Sequence, residues 1–197
     1  MANENEINRM ASIEGSRITL IPFTEDFITD RYLSWLNNPK VVRYSRQRST
    51  RHTKETALRF LETTKKSDSY FWAVLNAKTG DHIGNVSVTM DRPNSVADIA
   101  IMIGEHSIWG QGYDLEAWSL VLHHLHKEGI RLVTGGCMAT NTAMIRVMEK
   151  SGMRPYFTRA GYFLDQGRPV DSVHYASGGI PALSEADWED LPHYLRA

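Results

Sequence analysis

The chain has 197 residues, 42% of them apolar and 23% charged, and a formal net charge of −1. That length supports one domain with a core that holds without staples, and the balanced charge gives no general nucleic-acid footprint, leaving only a local basic patch open. A lone cysteine, Cys137, excludes an intramolecular disulfide and accords with a reducing, cytoplasmic setting. No apolar run approaches the roughly 20 residues that cross a bilayer, and the first residues lack the pattern of a signal peptide.

Residues 1–15 are polar and aperiodic and are expected to be a flexible segment ahead of a domain over 16–180. Arg17–Pro22 is β-rich and closes on proline, which predicts a first strand. Phe27, Ile28, Tyr32, Leu33 and Leu36 predict a helix over Thr24–Leu36, capped by Thr24 or Asp26 and stopped at Asn37-Asn38-Pro39. Val41–Lys54 holds Arg43, Arg46, Arg48, Arg51 and Lys54 with no acid among them, and Tyr44 and His52 interleaved. It reads either as a solvated loop or as a contact for phosphates, whose oxygens suit guanidinium forks. Thr53–Lys66 reads as a capped helix with Ala57, Phe60 and Leu61 on its apolar stripe.

Tyr70–Leu75 and His82–Met90 flank a Lys78-Thr79-Gly80-Asp81 turn and predict a hairpin. Val96–Ile103 follows, apolar almost without break from Ile99, which predicts a central strand covered on both faces. A helix over Tyr113–Lys127 buries Leu115, Trp118, Leu122 and Leu125 and ends at Gly129. Ile130–Met138 is a strand, Asn141–Ser151 a helix, and Met153–Thr158, Gly161–Leu164 and Val170–Tyr175 are the remaining strands. Ser184–Asp190 is expected to form a short helix in a 181–197 tail. Antiparallel strands first and strand–helix crossovers later give an α/β (α+β) fold with a mixed, mostly antiparallel central sheet flanked by helices.

Between the central strand and the long helix lies Ser107-Ile108-Trp109-Gly110-Gln111-Gly112-Tyr113-Asp114. Two glycines at a helix start leave backbone N–H groups uncovered, and with the helix dipole they suit a phosphate or pyrophosphate. A P-loop is excluded, since no Gly-Lys-Ser/Thr follows. A dinucleotide fold fits poorly, because its third glycine would fall on Leu115. A plain tight connection is the bland alternative.

The stretch resembles the GNAT superfamily of acyl-CoA-dependent N-acetyltransferases. The family's Arg/Gln-x-x-Gly-x-Gly/Ala pattern falls on Trp109–Asp114 and is followed by Glu116-Ala117. Asn141 and Met148-Glu149-Lys150-Ser151-Gly152-Met153 resemble its second motif. The Arg17–Pro22 opening and Trp35-Leu36-Asn37-Asn38-Pro39 are similar to the branch containing ribosomal-protein and amino-sugar acetyltransferases. The resemblance implies a splayed parallel strand pair with acetyl-CoA between them, as acyl donor and without a metal. It implies donor contacts from Met102 and Ile103 of the central strand, from Trp109, Gly110, Gln111, Gly112, Tyr113 and Asp114 of the turn, and from Asn141, which could equally cap its helix. Two positions depart from the pattern: Trp109 replaces Arg/Gln, and Asp114 brings a carboxylate towards the pyrophosphate unless it turns to the helix's free N–H groups.

The acceptor must attack as a neutral amine, so a proton has to be removed, and Asp98 is the candidate base. Glu116 reads as structural. The position of the tyrosine acid used by related enzymes is Met148, so no acid is assigned. His123, His124 and His126 lack the partners of a metal site, and Cys137 reads as a small buried hydrophobe. The expected acceptor is a small-molecule amine, with a nucleotide-linked amino sugar favoured by the basic Arg43–Lys54 stretch. The alternatives are a protein N-terminal amine, as in ribosomal-protein acetyltransferases, a non-catalytic CoA-binding module, or a structural remnant that binds no CoA. Neither nucleic acid nor membrane is expected as a partner, and exposed strands could pair subunits into a homodimer.

Overall fold

Strands with apolar side chains on alternating positions assemble into one sheet whose two faces are covered very differently. The computed structural model describes residues 10–179. Its strands are β1 (Ile13–Glu14), β2 (Ile18–Pro22), β3 (Tyr70–Asn76), β4 (His82–Asp91), β5 (Val96–Ile103), β6 (Leu132–Met138), β7 (Arg154–Asp165) and β8 (Arg168–Gly178), and its α-helices are α1 (Asp30–Leu36), α2 (Lys54–Lys65), α3 (Tyr113–Lys127) and α4 (Thr142–Lys150). The spatial order is β1-β2-β3-β4-β5-β6-β8-β7. Every neighbouring pair is antiparallel except β5 and β6, which run parallel. The expected mixed sheet with its one parallel pair is therefore present.

One face of the sheet is sealed. Trp72, Val74, Val86, Val88, Ile99, Val133 and Tyr175 point to α3 and α4, where Trp118, Val121, Leu125, Val147 and Met148 meet them in one buried cluster. On the other face α1 and α2 cover the β2–β3 end, through Tyr32, Trp35, Leu36, Ala57 and Leu61 against Phe71 and Ala73, and reach β4 and β5 only at His82 and Met102. The remainder of that face, from β4 across to β8, is a groove. β5 is accordingly central but not covered on both faces: Ile99 is buried, whereas Asp98 and Ala100 are exposed. Its apolar run satisfies one sealed face and one groove floor, a distinction that hydropathy alone cannot make.

The Thr24–Leu36 helix is broken in two. A 3-10 turn spans Glu25–Phe27, Ile28 leaves the helical region with φ −82 and ψ 62, and Thr29 caps α1 by accepting from the Tyr32 N–H. Thr29, not Thr24 or Asp26, is thus the cap that starts the α-helix. α2 begins on a Thr53–Thr56 capping box. The two strands expected over Met153–Thr158 and Gly161–Leu164 are one long strand, β7, with an irregularity between Arg159 and Phe163 that absorbs Gly161. Ile13 and Glu14, within the aperiodic N-terminal segment, pair with Leu20 and Thr19. The Ser184–Asp190 helix lies outside the described residues. Among the described residues no helix is long and apolar enough to cross a membrane.

Candidate active site

β5 and β6 pair only at Val96–Leu132, Ala97–Val133 and Asp98–Thr134. Beyond that point β5 stays with β4 as far as Ile103 opposite Gly84, and β6 stays with β8 as far as Met138 opposite Ser172. The strands part after Asp98 and Thr134, so the Ile99–Ile103 backbone, including Met102, has one edge without a strand partner. Trp118 helps to fix this wedge: its ring lies where a side chain on Gly135 would be, 2.6 Å from the ideal Cβ position. At the end of β5 the Trp109 indole Nε1 donates to the Ile103 carbonyl at 2.8 Å. The indole therefore closes the strand end rather than facing away from it.

The glycine turn follows. Gly110 and Gly112 have φ of 74° and 82°, a region that costs other residues roughly 1–2 kcal/mol. A Cβ on Gly110 would meet nothing within 4 Å, so conformation rather than space calls for glycine there. Among the described residues the N–H groups of Gly110, Gly112, Tyr113 and Asp114 have no backbone acceptor. Asp114 Oδ1 accepts from the Leu115 N–H at 2.9 Å, inside the first turn of α3. Gln111 donates its side-chain amide to the Ser107 carbonyl at 3.1 Å. The result is a set of free donors at a helix N-terminus, which suits a phosphate group.

Arg17, which the sequence reading passed over, holds this turn from behind. Its guanidinium donates to the carbonyls of Gln111 and Gly112 at 2.9 and 3.0 Å and to Glu116 at 2.8 Å, and it lies 4.7 Å over the Tyr113 ring. Carbonyls turned towards Arg17 leave the amides to face outward. Burial acts to raise the Glu116 carboxyl, but the bonds from Arg17 and Ser16 outweigh it and hold the group below its ordinary value. No local motif announces this clamp, because Arg17 and Glu116 are joined only by the fold. Asn141 caps α4, accepting from the Met144 N–H at 3.2 Å, and Met148 is fully buried in the core.

Across β5, the groove is lined by side chains. A cavity of about 330 Å³ is bounded by Tyr32, Asn85, Ser87, Ala100 and Met102 together with the loop from Ser45 to His52. Asn85 Oδ1 is buried there with no hydrogen-bond partner among the described residues, a costly state unless something fills it. Burial raises the Tyr32 phenol well above its ordinary value and keeps it protonated. Behind this cavity His82 is packed among the rings of Phe23, Phe27, Tyr32 and Trp35, and burial pushes its pKa down to about 4.

Asp98 stands on the groove floor beside the point where β5 and β6 part. Thr134 donates to its Oδ2 at 2.6 Å. Although the residue keeps more than a third of its surface accessible, the protein crowded around the carboxylate raises its pKa, opposed by the Thr134 bond and by the charges of His174 and Arg46. The concave setting explains both facts: a carboxylate in a recess can touch water and still lose much of its hydration.

The basic stretch forms a wall of the same groove. Ser45 caps a 3-10 turn over Arg46–Ser49. From it Arg46 donates to the Tyr162 hydroxyl at 2.8 Å, and Arg48 donates to the Leu164 carbonyl at 3.0 Å, so the loop is tied to the β7–β8 hairpin. A second hollow of about 310 Å³ lies between them, lined by Arg46, Arg48, Ser49, Tyr162 and Phe163. Arg43 lies over Tyr44, away from this contact. Cys137 is buried on the sealed face, and burial pushes its thiol up to about 12. Of the three histidines on α3, His124 lies 3.3 Å from Glu128 and His126 bonds Ser177. Among the described residues no three or more His, Cys, Asp or Glu side chains come together as metal ligands would.

The sequence matches the family profile described as "Acetyltransferase (GNAT) domain" over residues 17–154, well over half of the chain. No curated protein sequence matches it. Among solved structures, it is similar to an acetyltransferase (GNAT family) from Bacillus anthracis, with TM-score 0.73, 19% identity, and coverage of 85% of this chain and 98% of that one. It is similar to the ribosomal L7/L12 alpha-N-protein acetyltransferase RimL in complex with coenzyme A (TM-score 0.74, 16% identity, 85% and 97% covered). It is also similar to the microcin C7 self-immunity acetyltransferase MccE in complex with acetyl-CoA and AMP (TM-score 0.72, 14% identity, 83% and 93% covered).

Proposed function

Because the chain belongs to the GNAT acetyltransferase family, we propose that it transfers the acetyl group of acetyl-CoA to the amine of a small acceptor that also carries an anionic part, a nucleotide-linked amino sugar being the class that fits best. When bound, acetyl-CoA supplies a thioester whose carbonyl carbon is the electrophile. The residues present suit it. The free amides of Gly110, Gly112, Tyr113 and Asp114 would take the pyrophosphate, flanked by Trp109 and Gln111. The open edge of β5 at Met102 would pair with the pantetheine arm, beside Ile103 whose carbonyl Trp109 holds, and Asn141 would contact the arm while capping α4. Asp114, already bonded within α3, need not oppose the phosphates. On the acceptor side, Asp98 draws the ammonium group to the parting of β5 and β6, where a proton has to leave before the amine can attack.

The observation that carries the acceptor class is the wall made by Arg46 and Arg48 tied to Tyr162 and Leu164. It encloses the groove and makes it basic, which suits a phosphate-bearing small molecule better than the cationic N-terminus of a protein. That MccE, similar in fold, is in complex with AMP as well as acetyl-CoA supports a nucleotide-bearing acceptor. The likeness to RimL supports the rival reading, a protein N-terminal amine.

The test has two stages. Acetyl-CoA at 100 times its dissociation constant should stabilise the protein by about 2.7 kcal/mol, seen as a rise in melting temperature. Thiol release is then followed with a UDP-linked amino sugar and with a peptide bearing a free N-terminus. The sugar nucleotide should turn over faster, and Arg46→Ala should raise its KM about tenfold while leaving that for acetyl-CoA unchanged. Faster turnover of the peptide would transfer the assignment to a protein acceptor. Binding of acetyl-CoA with no turnover of any amine would make the protein a CoA-binding module.

A further inference from the structure

His174 is the group on the groove floor that neither the sequence motifs nor the family match singles out. It lies on β8 directly opposite Gly136 of β6, two residues beyond Thr134, the last β6 residue that still pairs with β5. Its ring is therefore beside the mouth of the wedge, on the same face as Asp98 and Thr134. An ideal Cβ on Gly136 would sit 2.5 Å from His174 Nδ1 and 2.6 Å from Cε1. The imidazole thus lies over bare β6 backbone, and only glycine at 136 leaves it room.

The ring is held on two further sides. Ser172, itself 2% exposed, has its Oγ 2.9 Å from Nε2. Phe157 stacks on the imidazole at 4.2 Å with an interplanar angle of 10°. A side chain fixed by a buried hydroxyl, an aromatic face and a required glycine is positioned far more tightly than a groove-floor histidine needs for packing alone. The charged groups that face it are Asp98 from β5, Arg159 from β7 and Arg46 from the 3-10 turn.

Resting on the acetyltransferase reading above, we propose that His174 accepts the proton of the acceptor amine through Nδ1, with Asp98 stabilising the imidazolium so formed. With Nε2–H donated to the Ser172 hydroxyl, Nδ1 bears the lone pair. The acceptor's ammonium gives one proton to Nδ1, and its freed lone pair attacks the thioester carbonyl carbon. Collapse of the tetrahedral species breaks the C–S bond. The departing thiolate takes up the nitrogen's second proton, and His174 returns the first to water. Amide, thiol and one released proton balance the reaction. Burial and the Arg159 cation lower the His174 pKa, while Asp98 acts to raise it. The ring is accordingly neutral and receptive at pH 7, and the acidic limb of kcat/KM falls below the ordinary histidine value of about 6.5.

The test compares wild type, His174→Gln, Asp98→Asn and Ser172→Ala, with thermal unfolding in acetyl-CoA run beside kinetics on the best amine from the two-stage assay. His174→Gln should keep the acetyl-CoA-induced rise in melting temperature and the KM for acetyl-CoA. It should lower kcat about 100-fold and lose the acidic limb. Ser172→Ala, which retains the imidazole, should keep that limb, displaced in pH, with a smaller fall in kcat. If His174→Gln turns over within about twofold of wild type, the proposal is overturned; if it keeps the limb while Asp98→Asn loses it, Asp98 is the base and the proposal is overturned as well. If wild type binds acetyl-CoA but acetylates no amine, or does not bind it, the function itself is wrong, and the role of His174 goes with it.

Discussion

The glycine turn ahead of α3 and the basic groove meet at β5, yet the first is made of backbone and the second of side chains. At the turn, amides are aimed by φ values that glycine permits and by one arginine that takes the opposing carbonyls. In the groove, Asn85, Asp98, His174 and Arg46 arrive from four elements, and their arrangement depends on how a loop and a hairpin meet. A backbone site is set chiefly by one contiguous stretch, here held from behind by Arg17. A side-chain site is a property of one sequence in one fold, and it can differ between chains of the same architecture.

The most direct way to break this comparison is at the turn itself. Gly112→Val, forced to φ of 82°, should abolish the acetyl-CoA-induced rise in melting temperature at concentrations that stabilise wild type by about 2.7 kcal/mol. It should lower kcat/KM for acetyl-CoA by about 100-fold or more. If a β-branched residue there leaves donor binding intact, the donor site does not rest on backbone conformation.

Next in size is a difference in acid stability between the two regions. His82, behind the cavity lined by Tyr32 and Asn85, has its folded-state pKa pushed down from 6.5 to about 4. The unfolded chain therefore binds that proton more readily. The stability involved is complete above about pH 6.5 and is lost as pH falls towards 4, a change on the order of 2–3 kcal/mol. The Glu116 carboxyl beside the turn is also depressed, but from 4.5, so its contribution is lost only as pH falls below that value. Urea unfolding of His82→Phe between pH 7 and 4 should show a flatter profile than wild type. A profile unchanged by the substitution would remove the distinction.

Arg17→Met sharpens the comparison from the donor side. It should weaken acetyl-CoA binding about tenfold, read by isothermal titration, and leave kcat for the acceptor little changed, since hydrogen bonds to charged groups are worth about 1.5–3 kcal/mol and Arg17 acts through the turn. The smallest effect is expected at Asn85. Its unpartnered Oδ1 makes Asn85→Leu neutral to about 1 kcal/mol stabilising in denaturant titrations, while the acceptor's KM rises. A clear loss of stability would mean that the amide serves the fold rather than a ligand.

The same contrast explains what was legible in the sequence. β5 and α3 have the expected bounds, Val96–Ile103 and Tyr113–Lys127, because hydrophobic period and glycine punctuation are local signals. The turn and the Asn141 cap were visible for the same reason. The break between Glu25–Phe27 and α1 was not, because Phe27 and Ile28 keep helical spacing while the backbone at Ile28 does not. Arg17 was hidden because its partners, Gln111, Gly112 and Glu116, lie about a hundred positions away along the chain. His174 was hidden because its meaning depends on Gly136, which only the β6–β8 pairing brings opposite it. The bareness of one face of β5 follows from where α1 and α2 end, which no pattern within β5 records.

β7 gives one wall of the groove but almost none of the core: nearly all of it is exposed, including Tyr156, Tyr162 and Leu164. Substitutions at such positions usually change stability by no more than about 0.5 kcal/mol. Arg46 and Arg48 stand on an equally superficial turn. These two segments can therefore change by drift without the molecule passing through forms that fail to fold, whereas a side chain at Gly110 or Gly112 would have to adopt a positive φ.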